Sequence, residues 1–135
     1  MILIITHCTL GDSLIRICRS LFEVDDLSLR YSLFQVTYKE STNALLAHFK
    51  EWLASLPKDG SFLIFTDIPG ATPHNLAVEH FSHLDCRIIS GVNLPMLIKV
   101  FSHPGSNLDS LASLALEGGH EGILKTVVPC GIEHD

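Results

Sequence analysis

The runs from Ile2 to Thr6 and from Ser61 to Thr66 hold apolar residues in consecutive rather than alternate positions. A strand of that kind needs cover on both faces, and a parallel sheet between two layers of helices supplies it. Elsewhere the spacing changes. From Asp12 to Phe22, the residues Leu14, Ile15, Ile17, Cys18, Leu21 and Phe22 recur at helical intervals, which leaves Arg16 and Arg19 facing out. A second strand is expected over 29–36. A helix follows over about 41–55, with Ala44, Leu45, Ala47, His48, Trp52 and Leu56 on or near one face, and Pro57 to Gly60 closes it as a turn.

After the strand at 61–66 comes a loop from Asp67, and a helix starts at Pro73. Thr72 suits its N-cap and Pro73 its first helical position. Further expectations are a strand over 85–90, a helix running from Gly91–Pro95 through Phe101, and a loop over 103–107. A last helix runs from Leu108 to Leu116 and is open to continuing to Ile123. Lys125 to Val128 reads as a short terminal strand and 129–135 as a tail. This order predicts an α/β fold: a doubly wound, mostly parallel sheet of about four strands with helices on both faces. With 135 residues the chain has length for one core and not for two, so 1–135 reads as one domain.

No apolar run approaches the roughly 20 residues that span a bilayer. The opening apolar stretch has no basic region before it, so a signal peptide is not expected and the reading is cytoplasmic. The net charge is −6, without a Lys/Arg cluster, which disfavours nucleic acid and anionic lipid and suits a basic protein partner. Cys8, Cys18, Cys86 and Cys130 form no C-x-x-C pair, so reduced thiols are expected rather than a zinc site or a disulfide framework.

Polar clusters fall just past three strand ends: Thr6-His7-Cys8, Asp67 with Gly70 to Asn75, and Gly91 to Asn93. A parallel sheet brings them to one edge, where doubly wound folds bind ligands. Of the eight histidines, His7 alone sits at the end of the first strand. The helix starts at Gly11-Asp12 and Thr72-Pro73 offer unpaired amides and positive dipole ends, suited to a phosphoryl group. Histidine carries phosphoryl groups well because one ring nitrogen attacks while a carboxylate holds the other. Asp67 is the natural holder, provided its strand lies next to the first.

Three segments together carry a resemblance. Thr6-His7 followed by Leu10-Gly11, then Thr66 to Pro73 with Asn75, then Ile89 to Leu97, resemble the mannose/fructose-type enzyme IIA family of the bacterial sugar phosphotransferase system. Glu117 to Gly122 also looks like that family's final helix. The resemblance implies that His7 accepts phosphate from the phosphocarrier HPr and passes it to a IIB component, with Asp67 hydrogen-bonded to His7. It implies a phosphoryl pocket lined by Thr72, Gly70, Ala71 and Asn75, and neither metal nor organic cofactor. It further implies a homodimer in which the C-terminal strand, here Lys125 to Val128, is exchanged as an antiparallel strand.

Two positions depart from the family pattern. Cys8 stands where Gly or Ala is usual, and Ile68-Pro69 replaces residues such as Thr-Trp found in many sugar-transporting members. The D-I-x-G-A-T-P-x-N wording resembles members of permease-lacking systems that act in regulation. A regulatory module whose His7 phosphorylation switches partner binding therefore stands as the alternative. A Cys8 nucleophile with His7 as base is disfavoured, since adjacent strand residues point to opposite faces. Simpler roles also stand for single residues: Thr72 as a cap, Gly70, Gly91 and Asn93 as backbone freedom, His74 as a solvated surface histidine, and Cys8 as a packed, unmodified thiol.

Overall fold

The computed structural model describes residues 1–131. Its elements are β1 (Ile2–His7), α1 (Leu10–Phe22), β2 (Tyr31–Val36), α2 (Thr42–Ser55), β3 (Phe62–Thr66), α3 (Thr72–Phe81), β4 (Cys86–Ser90), α4 (Leu94–Phe101) and α5 (Leu108–Glu121). Among the described residues the four strands form one parallel sheet in the order β2-β1-β3-β4. The winding reverses between β1 and β3.

Alternation along the strands feeds two cores. Ile2, Ile4, Leu63, Phe65 and Ile89 pack with Ile15 and Cys18 of α1, Leu97 and Val100 of α4, and Leu111 and Ala115 of α5. On the other face Leu3, Ile5, Phe34, Val36, Phe62 and Ile64 meet Phe49 of α2 and Leu76, Ala77 and Phe81 of α3. Side-chain caps set three helix starts. Ser41 Oγ accepts the Ala44 N–H, Asn93 Oδ1 the Met96 N–H, and Asn107 Oδ1 the Ser110 N–H.

Several boundaries and faces differ from the sequence reading. β2 begins at Tyr31 and β4 at Cys86, although the Arg30 and Asp85 carbonyls still accept from Ile2 and Phe62. Helix α2 turns on Phe49, which is fully buried, while Ala47 and His48 are exposed. Ile17 and Leu21 lie at helical spacing yet stay exposed on the outer side of α1. Arg19 folds inward instead of facing out: its guanidinium lies 5.5 Å from the Tyr31 ring centroid and donates to the Tyr31 hydroxyl.

Helix α5 runs unbroken through Glu117-Gly118-Gly119. The reason is close packing on α4. A Cβ on Gly118 would sit 2.6 Å from Lys99 Cβ and 2.9 Å from the Pro95 carbonyl oxygen, and one on Gly119 would sit 2.7 Å from Met96 Cε. Lys125 to Val128 pair with no strand among the described residues and have no regular structure, and Ile123, Leu124, Val127 and Val128 are exposed. The expected tail over 129–135 falls partly beyond the described residues. No helix among the described residues is long and apolar enough to cross a membrane.

Candidate functional site

His7 is the last residue of β1, and Asp67 directly follows β3. The register that pairs Ile5 with Thr66 sets these two strand ends side by side at the reversal of the winding. Asp67 Oδ2 accepts the backbone N–H of His7 at 2.9 Å and lies 2.8 Å from its ring Nδ1. Asp67 Oδ1 accepts the Ile68 N–H at 2.9 Å. An ionised carboxylate only accepts, so the ring proton belongs on Nδ1 and the lone pair on Nε2. The carboxylate is 7 % exposed and the imidazole 24 %, so the orienting group is shielded and the ring reachable.

Burial pushes the Asp67 carboxyl up. The His7 backbone N–H, the His7 ring and the Ile68 N–H more than offset this and hold it below the ordinary carboxylate value. Asp67 is therefore an anion at neutral pH, the state required of a partner that stabilises charge on an imidazole.

Helix α3 starts beside this pair, but not as its sequence suggested. Ala71 is the N-cap and makes no side-chain cap, while Thr72 is already helical and exposed. Its hydroxyl is thus free of the capping role it was expected to fill. The turn before it is braced internally. The Ala71 N–H donates to the Ile68 carbonyl, the Asn75 N–H to the Ala71 carbonyl, and Asn75 Nδ2 to the Gly70 carbonyl at 3.1 Å. Gly70 (φ +79°) and Gly91 (φ +87°) take left-handed conformations that suit glycine. At the other expected helix start, the Gly11 N–H is already taken by Thr6 Oγ1 at 2.9 Å. Asn93 caps α4, and Asp12 pairs with Arg16.

Three side chains that the sequence reading left out or undervalued also meet here. His74 is not a solvated surface histidine. It is half-buried, with Nδ1 2.7 Å from Ser90 Oγ, which in turn lies 2.6 Å from the buried Thr66 Oγ1. Tyr38, in the loop after β2, stacks on the His7 ring with centroids 6.0 Å apart and planes 20° apart. Both Tyr38 and Ser90 follow or end a parallel strand, so the rule that located His7 would have found them too. Cys8, half-buried, adopts φ +48°, unusual for a residue with a Cβ. All four cysteines are free, and burial pushes the Cys18 thiol up to about 11. Among the described residues there is no group of three His, Cys, Asp or Glu side chains fit to hold a metal.

Fold and site together define a doubly wound α/β protein with a carboxylate-bound histidine at its switch point. The family model described as "PTS system fructose IIA component" matches residues 1–115, and the chain belongs to that family. Membership implies a phosphotransferase role in the sugar phosphotransferase system. The fold resembles the mannose/sorbose-specific IIA subunit from Enterococcus faecalis, with a TM-score of 0.77 at 21 % identity over 95 % of each chain. It also resembles a IIA protein associated with the fucose utilization operon of Streptococcus pneumoniae, with a TM-score of 0.75 at 19 % identity over 92 % of this chain and 90 % of that one. An EIIA component from Streptococcus agalactiae gives 0.69 at 22 % identity, covering 92 % and 95 %. At these identities the likeness establishes the fold. No curated protein matches the sequence.

Proposed function

We propose that this protein is a cytoplasmic phosphoryl carrier that takes phosphate from HPr onto His7 Nε2 and passes it to a IIB component. The observation that carries the reading is the double contact of Asp67 Oδ2 with the His7 backbone N–H and ring Nδ1. In the first transfer the Nε2 lone pair forms a bond to phosphorus as the donor's bond to phosphorus breaks, and that electron pair returns to the donor. Positive charge then develops on the imidazole, and the Asp67 anion stabilises it without taking the proton. In the second transfer the Nε2–phosphorus electrons return to His7, and the acceptor on IIB gains the group.

The free Thr72 hydroxyl at the start of α3 and the turn from Gly70 to Asn75 supply the phosphoryl pocket in this reading, with no metal or cofactor. The net charge of −6 suits a basic face on the phosphocarrier. The exposed apolar side chains of Ile123, Leu124, Val127 and Val128 support a homodimer, with Lys125 to Val128 exchanged as a strand.

Incubation with enzyme I, HPr and phosphoenolpyruvate, followed by intact mass measurement, tests the proposal. The expected result is one acid-labile phosphate on the wild type and none on His7→Ala. Labelling of His7→Ala at the wild-type level would overturn it.

A further inference from the structure

Tyr38 keeps 83 % of its surface exposed, so burial in a core does not account for its position. Its ring lies instead against His7, at 6.0 Å between centroids and 20° between planes. The loop that carries it is braced on both sides. Thr37 Oγ1 donates to Glu40 Oε2 at 3.3 Å, Glu40 Oε1 pairs with His48 of α2, and Ser41 caps α2. On the β1 side, the Cys8 N–H donates to the Val36 carbonyl at 2.8 Å. The loop is thus set by its own hydrogen bonds, and the exposed aromatic ring is held over one imidazole face.

We propose that Tyr38 is an aromatic cover for His7 that favours the phosphorylated ring over the free one. This rests on the reading of His7 as phosphoryl acceptor. A phosphoryl group on Nε2 uses that nitrogen's lone pair, while Asp67 keeps the proton on Nδ1. With both nitrogens substituted, the phosphorylated ring carries a formal positive charge beside its anionic phosphoryl group, a charge that the free ring, protonated on Nδ1 alone, lacks. A tyrosine face attracts a cation within about 6 Å of its centroid. Asp67 is the one acidic partner of His7 among the described residues and serves the ring edge, so Tyr38 supplies the complementary attraction from the face. Stacking also leaves the Nε2 edge open, because a transferring phosphorus approaches in the imidazole plane. The hydroxyl has no part in this, which separates Tyr38 from a proton donor.

The test equilibrates the protein with phosphorylated HPr. Intact mass then gives the ratio of phosphorylated to free protein for wild type, Tyr38→Phe, Tyr38→Leu and Tyr38→Ala. Phe should match the wild type, and Leu and Ala should lower the transfer equilibrium constant roughly two- to five-fold. A Leu variant equal to wild type would overturn the cover, since bulk rather than the aromatic face would then suffice. A wild type that takes no label would overturn the acceptor reading and the cover together, which distinguishes the two failures. A second measurement needs no phosphate. The His7 ring protons should show an upfield ring-current shift in wild type and Phe that is lost in Leu, and its absence from wild type would remove the stack itself.

Discussion

A single oxygen, Asp67 Oδ2, serves both the backbone N–H of His7 at 2.9 Å and its ring Nδ1 at 2.8 Å. The same contact therefore ends β1 in a defined place and selects the tautomer whose lone pair is on Nε2. Asp67→Asn keeps the shape and an accepting oxygen but removes the charge. A hydrogen bond to a charged group contributes about 1.5–3 kcal/mol, so phosphorylation of His7 should slow roughly 10- to 100-fold. Quenched-flow labelling by phosphorylated HPr measures it, and a variant within two-fold of wild type would show that the charge is idle.

The same contacts make stability depend on acid. Asp67's folded-state pKa lies below the ordinary value, so the unfolded chain binds the proton more readily. Its contribution is complete above the ordinary carboxylate pKa of about 3.9 and is lost as pH falls through the depressed folded value. Urea unfolding at about pH 6 and pH 3 should show wild type losing an increment of stability that Asp67→Asn does not lose. Equal losses in both proteins would place the acid sensitivity elsewhere.

Cys8 tests the cost of the turn that follows His7. Its φ of +48° is disfavoured for a residue with a Cβ by roughly 1–2 kcal/mol. Glycine relieves that strain at the expense of a more flexible unfolded chain, so Cys8→Gly should gain up to about 1 kcal/mol. Cys8→Val should lose about 1 kcal/mol or more, since a branched side chain fits this conformation worse. Both Cys8→Gly and Cys8→Ser should still take phosphate, whereas loss of labelling in Ser would bring the thiol into the chemistry.

Gly118 tests the packing that carries α5 past its glycines. A methyl group there meets Lys99 Cβ at 2.6 Å and the Pro95 carbonyl oxygen at 2.9 Å, and the backbone atom cannot step aside cheaply. Gly118→Ala should cost about 1–3 kcal/mol and lower the melting temperature by roughly 3–10 °C. Gly105→Ala, where nothing lies within 4 Å, is the control and should stay within about 0.5 kcal/mol.

The layered fold was legible because unbroken apolar runs such as Ile2 to Thr6 and Phe62 to Phe65 fit few other arrangements. The strand-end rule then brought His7 and Asp67 together once β1 and β3 proved adjacent. What escaped was tertiary in origin. The sequence left open whether α5 ends at Leu116 or crosses Gly118-Gly119, and the close fit of α4 against those glycines belongs to the crossing. Arg19 looks solvent-facing until Tyr31 offers a ring and a hydroxyl. Phe49 was passed over because neighbouring apolar residues allow several helical faces, and only the sheet selects one. Tyr38 lies where the strand-end rule points, just past β2, but its stacking on His7 depends on a loop conformation that composition does not encode.

Thr72 separates a structural role from a chemical one. Sequence makes it the N-cap of α3, but the cap is Ala71 and Thr72 stands exposed within the first turn. Removing a true threonine cap costs about 1 kcal/mol, whereas removing an uncommitted hydroxyl from an exposed helical position should change stability by less than about 0.5 kcal/mol. If that hydroxyl meets the phosphoryl group, its loss removes a hydrogen bond to a charged group, worth about 1.5–3 kcal/mol, and slows transfer roughly 10- to 100-fold. Thr72→Ala should therefore melt like wild type and label slowly, with Thr72→Ser restoring the rate. The reverse pattern, lower stability with normal labelling, would return Thr72 to the capping role and leave the pocket to the backbone of α3.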